Sequence, residues 1–203
     1  MTITVDQELC QPELQNNATL GDAMAWLQES IATTGKVVVK VEMDGQVLDG
    51  PALTSARSWP IRQRVIAFQT ADERTLARTM VGKLAALIEY LQVQHGNVAQ
   101  LLEQNQTTKA LDALREVLSA WTQIHNAYSG LVTMLRIDMQ KMMVGEYSAN
   151  QRMSDFGTQL ASLQEALQNQ DMVMLADILQ YEMDGAIATW VCLLEGTLAA
   201  IEA

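Results

Sequence analysis

Chemistry in this chain would have to start from two histidines, His95 and His125, and two cysteines, Cys10 and Cys192. A di-iron centre in a helical bundle needs a Glu three residues before a His on each of two helices, so that both ligands face inward. The residues at those positions are Gln92 and Thr122. No Cys pair stands at chelating spacing either, so no metal and no cofactor is expected. His125 falls on an apolar helical stripe with Tyr128 one turn further on. The two read either as polar anchors of a ligand pocket, with His125 as general base, or as core side chains bonded to a neighbouring helix. There is no Gly-x-Gly-x-x-Gly, no Gly-Lys-Ser/Thr and no Gly-x-Ser-x-Gly, so nucleotide chemistry and serine hydrolysis lose their usual supports. The chain is not expected to be an enzyme.

Methionine and acid offer more. Of twelve methionines, Met139, Met142, Met143 and Met153 gather around one inter-helix connection. Flexible thioethers repack around varied apolar helices, which makes these four the candidate apolar groove for a protein partner. From Met153 to Ala203 there are eight acids and no Lys or Arg, and Asp177, Glu182 and Asp184 are the candidate acidic rim. Arg74, Arg78 and Lys83 either pair with this acidic segment or leave it free to dock a basic or amphipathic partner. A net charge of −11 repels phosphate backbones, so nucleic acid is not an expected ligand.

The opening residues carry Asp6 and Glu8 and no base, unlike a secretory signal. Leu84–Ile88 and Ile187–Leu194 fall short of the roughly 20 apolar residues that cross a bilayer, so no membrane is expected. Cys10 and Cys192 are expected as free, mostly buried thiols in a reducing cytoplasm.

The elements that position these residues change character near Gln69–Asp72, which divides the chain into modules 1–71 and 72–203. In the first, Thr2–Val5 and Glu8–Cys10 flank Asp6-Gln7, and Val37–Met43 and Gln46–Leu48 flank Asp44-Gly45, predicting two hairpins. The hairpins look alike, Val5-Asp6-Gln7-Glu8-Leu9 paralleling Met43-Asp44-Gly45-Gln46-Val47. Between them Thr19 caps a helix with Leu20, Met24, Leu27 and Ile31 on one face, ending at Gly35. A short helix over Leu53–Ser58 and a strand over Arg64–Gln69 follow. This order, with Gly45-Gln46-Val47-Leu48-Asp49-Gly50-Pro51-Ala52-Leu53 as turn, fourth strand and turn, resembles the ubiquitin-like β-grasp domains. The resemblance implies a fold and an adaptor role. No diglycine tail follows, so conjugation is not implied.

The second module is read as an antiparallel four-helix bundle, giving an α+β fold overall. Asp72 caps a helix bearing Leu76, Met80, Leu84, Leu87 and Leu91, whose phase continues through His95, Val98 and Leu102, with Gly96 either inside the helix or at a bend. A second helix, capped by Thr107 or Thr108, carries Leu111, Leu114, Leu118, Trp121, His125, Tyr128, Val132, Leu135, Met139 and Met142 at alternating spacings of three and four. After Gly145–Asn150 come a third helix with Met153, Phe156, Leu160, Leu163 and Leu167, and a fourth, capped by Asp171, with Leu175, Leu179, Met183, Ile187, Trp190, Leu194, Leu198 and Ile201. Gln104-Asn105-Gln106 and Gln168-Asn169-Gln170 are the short turns that force antiparallel neighbours.

Leu84–Leu91, the Gln104–Leu118 turn and helix, and Ala166–Trp190 resemble the flagellin-specific secretion chaperones. That likeness implies a non-catalytic bundle offering a groove to a partner helix. The expected function is accordingly a cytoplasmic protein-interaction factor, a chaperone or adaptor. The competing expectations are a ligand binder or enzyme with His125 and Tyr128 in a pocket between the modules, and a homodimer pairing the Leu111–Met142 seam with its twin.

Overall fold

A computed structural model describes residues 1–202, which divide into two compact units, Met1–Leu76 and the residues from Ala77 on. In the first unit β1 (Thr2–Val5) and β2 (Glu8–Cys10) form one hairpin, and β3 (Lys36–Met43) and β4 (Gln46–Leu48) another. β5 (Val65–Asp72) lies between them, parallel to β1 and antiparallel to β3, so the order is β2-β1-β5-β3-β4, that of the β-grasp. Both hairpin turns place two residues at positive φ, Asp6 and Gln7 (51° and 71°) and Asp44 and Gly45 (52° and 82°), the backbone that follows the right-handed twist of paired strands.

The likeness of the two hairpins has a structural use. The Asp6 carboxylate accepts the Thr70 N–H (2.7 Å) and hydroxyl (2.6 Å), while that of Asp44 accepts the Val65 N–H (2.9 Å) and the Arg64 guanidinium (2.7 Å). The central strand is thus held at both ends by turn carboxylates. Alternation on β3 and β5 turns Val41, Met43, Ile66 and Phe68 inward. They meet Leu20, Ala23, Met24 and Leu27 of α1 (Leu20–Ile31) in one core. Thr19 caps α1 in a reciprocal box with Asp22.

Two boundaries move from their expected places. The short helix α2 spans Gly50–Ala56 rather than Leu53–Ser58, because Pro51 fits the first helical turn, where its missing N–H is not needed. β5 runs on to Asp72, since β3 keeps pairing with it out to Lys36. Asp72 still caps the next helix, its carboxylate accepting the Thr75 N–H at 2.7 Å.

Helical rods make up most of the second unit. α3 (Glu73–Glu103) passes through Gly96 unbroken. α4 (Thr107–Met134), α5 (Ala149–Gln168) and a rod formed by α6 (Met172–Asp177), a π-helical turn (Ile178–Glu182) and α7 (Met183–Glu202) complete an antiparallel bundle around one core. The buried stripe of α3 runs through Ala77, Val81, Leu84, Ile88, Leu91, His95, Val98 and Leu102, leaving Leu76, Met80 and Leu87 half-buried at its edge.

α4 corrects the expected seam. It stops at Met134, and its buried stripe is Ala110, Leu114, Val117, Trp121, Ile124, Tyr128 and Leu131. Leu114, Trp121 and Tyr128 belong to both stripes; Leu111, Leu118 and Val132 are half-buried and His125 is exposed. Two sevenfold-spaced sets share every other member, and the one with small Ala110 and Val117 lets the neighbouring rods come close. Leu135–Met142 is not helix but leads into a small hairpin, β6 (Met143–Val144) and β7 (Tyr147–Ser148). Neither Thr107 nor Thr108 caps α4; Gln106 holds that position without a side-chain bond.

All three turns between rods end the preceding helix alike. Asn105 (φ 58°), Arg136 (54°) and Gln170 (55°) take the left-handed conformation. The N–H after each bonds back to Leu101, Val132 and Ala166 in turn, a paired closure that satisfies the last carbonyls.

Candidate functional site

Polar groups inside the bundle come first, because burial changes their chemistry. The Trp121 indole N–H donates to His95 Nε2 at 3.0 Å, and both residues are buried. Burial pushes the His95 imidazole down to about 4, the Asp184 carboxylate opposing that shift. Phe156, Trp190 and Tyr128 extend the aromatic packing from Trp121. Thr197 gives its hydroxyl proton to the Leu193 carbonyl at 2.8 Å, so the Tyr128 hydroxyl, 3.2 Å away, donates to Thr197. Burial raises Tyr128 above the usual phenol range, keeping it neutral. Within this packed core His95 Nδ1 and Trp190 Nε1 are buried without a hydrogen-bond partner. His125 lies outside it on the solvent face, so His125 and Tyr128 do not line one pocket.

None of the hollows described among these residues is lined by the four methionines or the three acids. Met139 and Met142 are half-buried over the core, Met139 beside the Tyr128 hydroxyl and Met142 against Gly196. Met153 packs likewise, and Met143 is exposed in β6. Asp177, Glu182 and Asp184 are exposed around the π-helical turn. Asp184 and Gly196 are separated by roughly 18 Å of helix at 1.5 Å per residue. Leu114, Trp121 and Tyr128, the core of the seam proposed to pair with a twin, are buried in the chain's own bundle. Arg78 and Lys83 make no salt bridge among the described residues. Cys10 is half-buried and Cys192 exposed, both free, so the expected burial of Cys192 does not occur.

An apolar groove of about 250 Å³ does exist, between α3 and α7. Val81, Ala85 and Ile88 form one wall and Ile187, Val191, Leu194 and Leu198 the other, with Glu89, Gln92 and Glu195 at the edges. Its lining contains no Lys or Arg. The readable signal was on α7, which carries two apolar stripes: Met183, Ala186, Trp190, Leu193 and Thr197 are buried, and Ile187, Val191, Leu194 and Leu198 follow each other by four, three and four. In the second stripe Ile187 and Leu194 are buried too, Leu198 is half-buried, and Val191 reaches the surface, 41% exposed.

The stretch Met172–Glu202 has the length and, at a mean hydropathy of 1.3 in its most apolar window, the composition to cross a bilayer. Its inward residues, Leu175 to Ile201, belong to the bundle core. Among the described residues no three His, Cys, Asp or Glu side chains converge to hold a metal.

Residues 79–191 match the model of a domain of unknown function (DUF8042), and residues 1–71 match that of the TP0873 N-terminal domain. No curated protein and no solved structure matches the chain.

Proposed function

The chain belongs to the DUF8042 family, whose description carries no activity, and from that premise we propose that it is a non-catalytic, cytoplasmic protein-interaction factor, a chaperone or adaptor. Its α3–α7 groove takes the apolar face of a basic amphipathic helix. The observation that carries this reading is the groove itself, walled by aliphatic side chains and edged by Glu89 and Glu195 with no base among them. Apolar residues of a partner at helical spacing fill such a groove, and its Lys or Arg residues meet the edge carboxylates. The net charge of −11 adds a field that draws in a basic segment and turns away an acidic one. Helix-in-groove binding is also what the resemblance to flagellin-specific secretion chaperones implies. The β-grasp unit, by its own resemblance, is an adaptor surface.

The test uses two amphipathic peptides with one apolar face in common, one with Lys and one with Glu on the polar face, and reads fluorescence anisotropy with the whole chain. The Lys peptide binds, weakens as salt rises, and loses at least about tenfold in affinity with Val191→Asp. Equal binding of both peptides, or indifference to Val191→Asp, would overturn the reading.

A further inference from the structure

Arg152 is the last base in the chain and stands in the first turn of α5, in a protein with 24 acids against 13 bases. Among the described residues its side chain nonetheless has no salt bridge, and its Nε has no hydrogen bond. Its Nε is buried without a partner, a costly state for a charged donor. Asp155, one turn on, accepts the Gln151 amide at 2.8 Å, and Glu146 is exposed and makes no salt bridge among the described residues.

The guanidinium is held rather than loose. Its carbon lies 4.6 Å from the centroid of the Tyr147 ring, a cation–π arrangement that fixes the plane. A Cβ at Gly145, in the β6–β7 turn with φ 66°, would come within 3.8 Å of Nη2. The fork thus lies within contact distance of the β6–β7 turn. A hollow of about 280 Å³ adjoins it, with Gly185, Ala188, Thr189 and Cys192 of α7 as its far wall. These are small side chains, and no side-chain hydrogen bond of the Thr189 hydroxyl is found among the described residues.

We propose that this hollow is a carboxylate-binding site, with the Arg152 fork as the recognition element and the Thr189 hydroxyl as a second donor. A planar guanidinium and a carboxylate match in two parallel hydrogen bonds. The small apolar wall at Ala188 accommodates a compact aliphatic tail behind the carboxylate. One arginine and one hydroxyl on a strongly acidic chain suit a single negative charge better than a phosphate dianion. The carboxylate comes from a free short-chain acid or from the C-terminus of a peptide. The site is independent of the α3–α7 groove.

The test follows backbone and Arg Nε–H NMR signals of the full chain during titration with butyrate, with acetyl-Ala-Val-Ala bearing a free C-terminal carboxylate, and with its C-terminal amide. The expected result is saturable shifts at the Arg152 Nε–H, Gly145 and Thr189 with at least one of the two acids and none with the amide. Which acid shifts them identifies the source. Ala188→Leu, which fills the hollow without touching Arg152, abolishes the shifts. Arg152→Lys, which keeps the charge and loses the fork, weakens binding at least about tenfold. Both variants are checked for an unchanged melting curve. An arginine that only clips the hairpin through Tyr147 gives no saturable shift with either acid; that result, or equal shifts with the amide, or indifference to Ala188→Leu, overturns the proposal.

Discussion

The imidazole of His95 accepts its hydrogen bond from Trp121 at Nε2, over 3.0 Å, and this fixes its proton on Nδ1. That Nδ1–H is itself buried and without a partner. A second proton on Nε2 would break the bond to Trp121 and place a charge among aromatic rings. The neutral form is therefore the folded form, consistent with the depression of the group to about 4.

Acid should loosen the bundle through His95 as the pH falls below about 6.5. Unfolded, His95 takes a proton near its ordinary 6.5; folded, it refuses one until about 4. Stability from this group is whole above 6.5 and falls as pH drops through that value toward 4, by about 3 kcal/mol in all. The hydrogen-bonded carboxylates of Asp6, Asp22, Asp44 and Asp138 sit below the usual value of 3.8, so their loss belongs to lower pH. Urea unfolding read by circular dichroism at several pH values should show the slope, and His95→Gln should flatten it. A wild-type slope that survives His95→Gln would place its origin elsewhere.

Glycine is expected to stabilise the turns between rods. Arg136 and Gln170 hold the left-handed backbone at helix ends, where a side chain is strained. Arg136→Gly and Gln170→Gly should each raise stability by about 1 kcal/mol, and Asn105→Gly by less, because Asn tolerates that backbone better. Melting temperatures of the three variants check the ranking.

These same residues explain what could be read from the sequence. The hairpins, the α1 cap and the β-grasp order were legible because Asp44-Gly45, Thr19 and alternating apolar strands have one local meaning each. The end of α4 was not, because Arg136 does the work that Gly usually signals, and Leu135, Met139 and Met142 continue the helical spacing past it. His125 was misplaced for a related reason: its stripe and the buried one share Leu114, Trp121 and Tyr128. The groove depends on which rods are neighbours, which no single helix pattern encodes. Only the surplus stripe on α7 pointed to it.

The turn carboxylates of the β-grasp unit should matter to its stability. Asp6 ties two donors of Thr70 to the β1–β2 turn, and Asp6→Ala leaves the Thr70 N–H without its acceptor. A loss of about 1 kcal/mol is expected. Asp44→Ala should also destabilise, since it frees the Val65 N–H and the Arg64 side chain. Hydrogen exchange of the β5 amides separates the two: Asp6→Ala speeds exchange at Thr70, Asp44→Ala at Val65, and equal acceleration along the strand would contradict two independent ties.

Met142 is expected to yield where Gly196 is filled. A Cβ at Gly196 would lie 2.6 Å from the Met142 terminal methyl and 3.9 Å from its sulfur. The methyl is the far end of a flexible thioether, so Gly196→Ala should shift it cheaply. The gain in helix propensity, about 1 kcal/mol, offsets the repacking, and the net change should stay within that amount. Gly196→Ile reaches deeper and has no such escape, with an expected cost of about 1–3 kcal/mol. In a Met142→Ala background that cost should fall by more than half, because the atoms in the way are gone. A double-mutant cycle on urea midpoints measures the coupling. No coupling would mean that Met142 does not cover α7 at Gly196 and is free to serve a partner surface instead.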